Sequence, residues 1–269
     1  MNDLIIIKDL TFCYDKEYIF SRFNLNIKEN SWVTLVGPNG SGKSTLIKIL
    51  LGLYKFDGYI SICQKILNTE NLREIRSKIG VVFENPDNCF VAETVMDEIA
   101  FSLENLEIPK KEIKKRIIEV ANLLRITNIL EKNPHALSGG QKQLVALASA
   151  LALEPKILIL DEALTKIDNQ DKMRILEIIK QLHHEKKMTI VNATHDIEEA
   201  VYGDDIIVID KGKIVLKGPK ELVLKEEKIF RELGLGLPFM ASLSLKLQYY
   251  NLIDKMILDM DELVNVLWK

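Results

Sequence analysis

The residues best suited to chemistry form a glycine-rich run that ends in Lys-Ser. It reads Gly37-Pro38-Asn39-Gly40-Ser41-Gly42-Lys43-Ser44 and fits the phosphate-loop pattern Gly-x-x-x-x-Gly-Lys-Ser/Thr. In such a loop the glycines let backbone N–H groups turn inward around phosphate oxygens. Lys43 would reach the β and γ phosphates of ATP, and the Ser44 hydroxyl can ligate Mg²⁺. The competing interpretation is a glycine-rich turn with a chance Lys-Ser.

Two elements must position this loop. The apolar run Trp32 to Val36 precedes it and is typical of a buried strand, and a helical run beginning Thr45-Leu46-Ile47 follows it. A phosphate-binding loop requires both flanks, so their presence disfavours the chance interpretation. Thr45, at the start of the helix, joins the predicted nucleotide contacts.

A pair of carboxylates follows another apolar run. Asp161 and Glu162 come directly after Ile157 to Leu160. Ligands of open α/β sheets bind at the carboxyl ends of the strands, so this pair should face the same crevice as the phosphate loop. Asp161 would hold Mg²⁺, and Glu162 would polarise an attacking water as general base. Acidic residues are also common in turns, and only the phosphate loop in the same chain favours the functional interpretation.

The remaining pattern predicts the fold class. Short runs rich in Ile, Val and Leu recur, and helical patterns lie between them. The runs are Ile5 to Ile7, Ser31 to Val36, Ile79 to Phe83, Ile157 to Leu160, Thr189 to Ala193 and Ile206 to Ile209. The middle runs lack polar alternation, which is typical of parallel strands buried on both faces. An α/β fold follows, with a strand-free helical segment at about 85–155.

Composition limits the classes of partner. The chain has 269 residues, 47% of them hydrophobic, and 36 basic against 39 acidic residues give a formal charge of −3. This balance disfavours a nucleic-acid partner. The three cysteines, Cys13, Cys63 and Cys89, form no CxxC pair, so neither a disulfide framework nor a zinc site is indicated. We expect no signal peptide and no membrane-spanning segment.

A short string then points to a family. Leu137-Ser138-Gly139-Gly140-Gln141 resembles the signature motif of ATP-binding-cassette (ABC) ATPases. The resemblance implies that Ser138, Gly139, Gly140 and Gln141 contact the γ-phosphate held by an opposing subunit. ATP hydrolysis would therefore require a face-to-face dimer. The family fold is a mainly parallel core sheet with an N-terminal antiparallel β part and a helical subdomain.

Other positions match the family pattern in order. Tyr14 lies where the family has an aromatic residue stacked on adenine, although a lone strand tyrosine is more often a packing residue. His195 resembles the switch histidine that senses the γ-phosphate, and Asp168 resembles the D-loop aspartate at the dimer contact. One position departs from the pattern. The family has a glutamine that contacts Mg²⁺ and water where this chain has Glu84, which can accept the metal but cannot donate an amide N–H.

Two segments resemble the ATPases of energy-coupling-factor (ECF) transporters. One is Glu84-Asn85-Pro86-Asp87-Asn88-Cys89-Phe90-Val91, and the other is the tail containing Leu233-Gly234-Leu235-Gly236-Leu237-Pro238-Phe239. The resemblance implies a cassette at residues 1–222 and a small α-rich dimerisation extension at 223–269. It also implies a homodimer or a heterodimer with a related ATPase, on the cytoplasmic face of the cell membrane. A transmembrane coupling subunit and a membrane subunit that captures a vitamin or transition-metal ion would complete the transporter.

The segment Phe90 to Phe101 carries an apolar patch with two interpretations. It would either contact the membrane partner or pack against the ATPase core. Other functions also stay open, namely the ATPase of another ABC importer, a soluble ABC protein that clamps nucleic acid, or a partner that binds ATP but barely hydrolyses it. The absence of sustained heptads and the near-neutral charge disfavour the nucleic-acid clamp. Glu162 and His195 oppose the weakly hydrolysing partner, whereas Glu84 favours it.

Overall fold

The computed structural model describes residues 2–268. Ten strands occur in that range, and they form two sheets. They are β1 (Asp3–Tyr14), β2 (Glu17–Lys28), β3 (Trp32–Val36), β4 (Asp57–Ile62), β5 (Lys65–Ile66), β6 (Ile79–Phe83), β7 (Ile157–Asp161), β8 (Thr189–Thr194), β9 (Asp205–Asp210) and β10 (Lys213–Pro219).

The larger sheet has the strand order β10-β9-β3-β8-β7-β6. All of its neighbouring pairs are parallel except β9 with β10, which is an antiparallel hairpin at the edge. Every residue of β3, β7 and β8 is buried, as the absence of polar alternation in these runs predicts. The parallel register brings the carboxyl ends of β3, β7 and β8 to one edge of the sheet.

The smaller sheet has the order β2-β1-β4-β5 and is antiparallel throughout. The two sheets together confirm the predicted core sheet and N-terminal antiparallel part. Only Ile5 to Ile7 of this smaller sheet was predicted as a strand. In β2 and β10 exposed polar residues interrupt the apolar ones, and β4 begins with three exposed residues, so no continuous hydrophobic run marks these strands.

Ten α-helices complete the described part of the chain. They are α1 (Lys43–Leu50), α2 (Leu72–Arg76), α3 (Val95–Glu104), α4 (Lys110–Leu124), α5 (Gly139–Ala152), α6 (Asn169–Lys186), α7 (Lys220–Val223), α8 (Glu227–Glu232), α9 (Phe239–Tyr249) and α10 (Met260–Leu267). Between β6 and β7 the chain is helical without any strand, as predicted for about 85–155. None of these helices is both long enough and apolar enough to cross a bilayer.

The described residues form four hydrophobic clusters, three of which hold these layers together while the fourth lies within the C-terminal segment. The apolar stripe Ile113, Ile117, Val120 and Leu124 of α4 packs with α3 and α5 into the largest cluster. The antiparallel sheet and α1 share a second cluster with one face of the larger sheet. Phe230 and neighbouring apolar residues of the C-terminal segment pack against β9 and the residues after β8. Helix α7 crosses residue 222, and the division of the chain at that residue stays a prediction.

Candidate nucleotide site

The glycine-rich run folds as a loop between β3 and α1. The backbone of this loop explains why two of its positions are glycines. A Cβ on Gly37 would lie 2.1 Å from the carbonyl oxygen of Ile209 in the adjacent strand, so only glycine fits. Gly42 precedes α1 with φ +108°, a conformation that side chains disfavour, and an added Cβ would lie 3.0 Å from the Phe20 ring. These constraints aim the first N–H groups of α1 into the loop.

The Lys43 side chain is held by the loop itself. Its Nζ donates to the carbonyl oxygens of Gly37 at 2.7 Å and Pro38 at 3.3 Å, and lies 3.8 Å from Oε1 of Glu162. Burial lowers the pKa of this ammonium, while the neighbouring carboxylates oppose the shift. A buried cation whose hydrogen bonds go to neutral carbonyl oxygens is suited to an anionic ligand such as a phosphate.

Ser44 and Asp161 form the second polar contact of the site. The Ser44 hydroxyl donates to Oδ1 of Asp161 at 2.7 Å. Burial raises the pKa of the Asp161 carboxyl, and the Ser44 hydrogen bond opposes that rise. A hydroxyl and a buried carboxylate oxygen at this distance are hard oxygen donors of the kind that bind Mg²⁺. These two residues therefore fit the magnesium ion that the phosphate loop implies.

Glu162 lies one residue past β7 and has a strained backbone. Its φ is +52°, and its N–H donates to the carbonyl oxygen of Ala193 at 2.8 Å. Its Oε2 lies 2.7 Å from Nδ1 of His195, which follows β8. The Glu162 side chain is nearly buried, whereas the His195 side chain is 51% exposed. The unusual turn thus directs the carboxylate towards the imidazole and the phosphate loop.

Most of these groups line one cavity of about 380 Å³, whereas Gly37, Pro38 and Asp161 are not part of its lining and Asp161 is connected to it through the Ser44 hydroxyl. The lining residues are Tyr14, Ile19, Asn39, Gly40, Ser41, Gly42, Lys43, Ser44, Thr45, Glu84, Glu162 and His195. Ser41 is 2% exposed, and its Oγ has no hydrogen-bond partner within the described residues. A buried hydroxyl without a partner is costly, so a phosphate oxygen at this position fits the loop. Ile19 was not predicted, because an isoleucine in an exposed strand carries no sequence signal for a ligand.

Tyr14 lies at the rim of the cavity among other aromatic rings. Its ring meets Phe12 at 4.9 Å and Tyr54 at 5.5 Å between centroids, both nearly perpendicular. Its hydroxyl lies 3.5 Å from Oγ1 of Thr45 at the start of α1. The side chain nevertheless stays 40% exposed. The two neighbours hold the ring in place while part of it remains available to a flat ligand.

Known proteins resemble this chain across both sequence and structure. The family model described as ABC transporter matches residues 20–165, which include the phosphate loop, Asp161 and Glu162. An energy-coupling factor transporter ATP-binding protein of Leuconostoc mesenteroides is 44% identical over 246 residues, covering 90% of each chain. A protein of the same name from Lactococcus lactis is 38% identical and covers 99% of this chain and 98% of its own length.

This chain belongs to the ABC transporter family. As a member of that family it binds and hydrolyses ATP. Solved structures agree with this assignment. CbiO1 from Clostridium perfringens, part of an ABC transporter complex, has a TM-score of 0.76 at 31% identity, covering 90% of this chain and 99% of its own. A dimeric ATP-binding cassette bound to ADP and phosphate has a TM-score of 0.73 at 30% identity, covering 80% of this chain and 98% of its own.

The signature-like turn of this ABC protein lies outside the cavity. Ser138 caps α5, its Oγ accepting from the N–H of Gln141 at 3.4 Å, while Oε1 of Gln141 accepts from the N–H of Ser138 at 3.2 Å. A Cβ on Gly140 would lie 3.1 Å from the carbonyl oxygen of Lys166. Ser138 and Gly139 are exposed to solvent. The turn is thus preformed and open, and none of its residues lines the cavity around this chain's own phosphate loop.

Asp168 also lies outside the cavity. Its carboxylate caps α6 by accepting from the N–H of Asp171 at 3.0 Å. Within a single chain, this helix cap is sufficient to explain an aspartate at this position. The side chain is exposed, so a contact across a dimer stays a prediction.

Proposed function

We propose that this chain is the ATP-hydrolysing subunit of an ECF-type ABC importer. The observation that carries the proposal is the meeting of the Glu162–His195 pair with the phosphate loop in one cavity. A nucleotide-binding protein without hydrolysis needs the loop but has no use for a buried carboxylate held beside a histidine. The similarity to energy-coupling factor transporter ATP-binding proteins supports the type of transporter.

Each group in the cavity has a role in the proposed hydrolysis. The adenine stacks on Tyr14, and the N–H groups of the loop together with Lys43 bind the phosphates. Ser44 and Asp161 would hold Mg²⁺, with Glu84 as a further oxygen donor, and the ion would offset the charge that develops on the γ-phosphate. Glu162 then accepts a proton from the attacking water.

The active assembly in this proposal is a dimer. The open turn at Ser138 to Gln141 begins helix α5, and the N-terminus of this helix would meet the γ-phosphate bound by the other subunit. Exposed Asp168 would lie at the same contact. The other subunit is either a second copy or a related ATPase. Helix α10, whose Val264 and Leu267 are partly exposed, favours a further dimer contact through the 223–269 extension.

Membrane subunits complete the proposal. Phe90 is buried in the core of the helical segment, which matches one of the two interpretations of this region, whereas Val91 is 65% and Phe101 46% exposed. The exposed pair is suited to a helix of a transmembrane coupling subunit. The chain would then sit on the cytoplasmic face of the membrane. A separate membrane subunit would capture the vitamin or transition-metal ion, and no nucleic acid takes part.

Affinity purification from gently solubilised membranes tests this function. We expect the tagged chain to bring down a multispanning membrane protein, with a second ATPase if the pair is asymmetric. The eluate should hydrolyse ATP, and Glu162→Gln should abolish that activity without loss of the partners. A soluble assembly with nucleic acid and without a membrane protein would overturn the transport proposal.

A further inference from the structure

One buried side chain joins three segments that the sequence gives no reason to connect. Gln143 lies in the first turns of α5, just after the signature-like turn, and is 1% exposed. Its Oε1 accepts from the N–H of Lys166 at 2.9 Å. Its Nε2 lies 3.4 Å from the carbonyl oxygen of Glu84 and 3.5 Å from Oγ1 of Thr165. Both ends of the carboxamide are therefore used.

The partners of Gln143 belong to loops that carry cavity residues. Glu84 follows β6 and lines the cavity. Thr165 and Lys166 follow β7 and Glu162, and Oγ1 of Thr165 donates to the carbonyl oxygen of Glu162 at 3.0 Å. A hydrogen-bonded chain thus runs from the Gln143 amide through Thr165 to the backbone of the strained Glu162 turn.

A second contact ties the same two loops together. Nζ of Lys166 lies 3.4 Å from Oδ1 of Asn85, the residue after Glu84. A Cβ on Gly140 would lie 3.1 Å from the Lys166 carbonyl oxygen, so the start of α5 also approaches this loop closely. The signature turn, the Glu84 segment and the Glu162 loop consequently meet around one fully buried amide.

We propose that Gln143 is a positioning residue for ATP hydrolysis. Its carboxamide holds the Glu84 segment and the loop after Glu162 in one relative arrangement, and couples both to the start of α5. Gln143 does not line the nucleotide cavity, so it acts through these loops and not on ATP. The inference rests on the proposed role of Glu162.

The test replaces the amide without changing its length. Gln143→Met removes all three hydrogen bonds of the carboxamide. Thr165→Val removes both contacts of the Thr165 hydroxyl, to Gln143 and to the Glu162 carbonyl oxygen, at an exposed position that should not affect folding. We expect the kcat for ATP hydrolysis in the purified, active assembly to fall about tenfold or more for Gln143→Met, because small displacements of a catalytic group are costly. The KM for ATP should stay within about twofold, since no phosphate contact is lost.

Two controls make the outcome decisive. Thr189 begins β8, at the end of the strand opposite His195, and its Oγ1 accepts from the N–H of Asn30 at 2.9 Å. Thr189→Val removes this hydrogen bond and should lower thermal stability without lowering kcat. The double variant of Gln143 and Thr165 should lose less activity than the product of the two single losses, because they form one chain. An unchanged kcat in Gln143→Met, or strictly multiplicative losses, would overturn the inference. If Glu162→Gln retained full activity, the proposed function would fail instead.

Discussion

Nδ1 of His195 lies 2.7 Å from Oε2 of Glu162, although 33 positions separate the two residues in the chain. An ionised carboxylate can only accept a hydrogen bond, so this contact requires Nδ1 of the imidazole to donate when Glu162 is ionised. This bond orients the Glu162 carboxylate towards the phosphate loop. His195 therefore helps to hold the proposed general base in place.

The first prediction concerns the general base. Glu162→Gln keeps the shape of the side chain but removes the basic oxygen, so we expect ATP hydrolysis to fall about 100-fold or more. ATP binding should persist, because the phosphate loop is unchanged. Single-turnover hydrolysis and nucleotide titration measure the two effects separately. Loss of binding together with hydrolysis would show that the substitution damages the loop instead.

The second prediction concerns the base of the nucleotide. Tyr14→Ala should weaken ATP binding by about 0.5–1.5 kcal/mol, or roughly two- to twelvefold, through loss of ring stacking. Tyr14→Phe keeps the ring and should bind nearly as the parent does. Inorganic tripolyphosphate has no base, so its affinity should not change in either variant. Equal weakening for both ligands in Tyr14→Ala would argue against stacking.

The third prediction concerns the family position occupied by Glu84. Its carboxylate lines the same cavity as Glu162, where it adds negative charge opposite the phosphates. Glu84→Gln removes that charge, so we expect Mg²⁺-free ATP to bind up to about fivefold more tightly, as a charge pair near water contributes about 1 kcal/mol. The restored amide donor should also raise turnover with Mg²⁺. A slower variant would show that Glu84 itself serves the reaction.

The fourth prediction concerns a partly buried charge network that begins at Asp196, the residue after His195. Lys172 of α6 donates to Oδ2 of Asp196 at 2.6 Å and lies 3.5 Å from Oε1 of Glu199, which is 2% exposed. Lys172→Met leaves these carboxylates without their cation, and we expect a loss of about 3 kcal/mol in the free energy of unfolding. Urea denaturation measures the loss, and adding Glu199→Gln should recover part of it.

This network also has a defined pH range. Burial by itself would raise the pKa of Asp196, but the hydrogen bond from Lys172 holds this pKa below its usual value. Burial by itself would lower the pKa of Lys172, but Asp196 and Glu199 raise this pKa above its usual value. The contribution of the pair to stability should be complete between about pH 4 and pH 10, and should decline as either folded pKa is crossed. A Lys172→Met effect that is unchanged at pH 3 would contradict this account.

Much of the core could be predicted because a strand buried on both faces appears in the sequence as a continuous apolar run. Strands β3, β6, β7, β8 and β9 are found within one residue of their predicted runs, since each is apolar on both faces. The half-exposed strands β2, β4 and β10 have no such continuous apolar run. Ile19, Gln143 and Thr165 escaped prediction for a related reason, because their contacts come from segments that are distant in sequence.

By itself, the sequence determined the phosphate loop, the carboxylates after β7 and the α/β class, because each depends on neighbouring residues and on hydrophobic patterning. Only the tertiary structure decided that Glu84, Glu162 and His195 line one cavity with that loop, while the turn at Ser138 to Gln141 is not part of its lining. Parallel strand order creates the first arrangement by bringing strand ends together, and helix packing creates the second. The buried amide of Gln143 likewise acquires its partners only when β6, β7 and α5 have packed together.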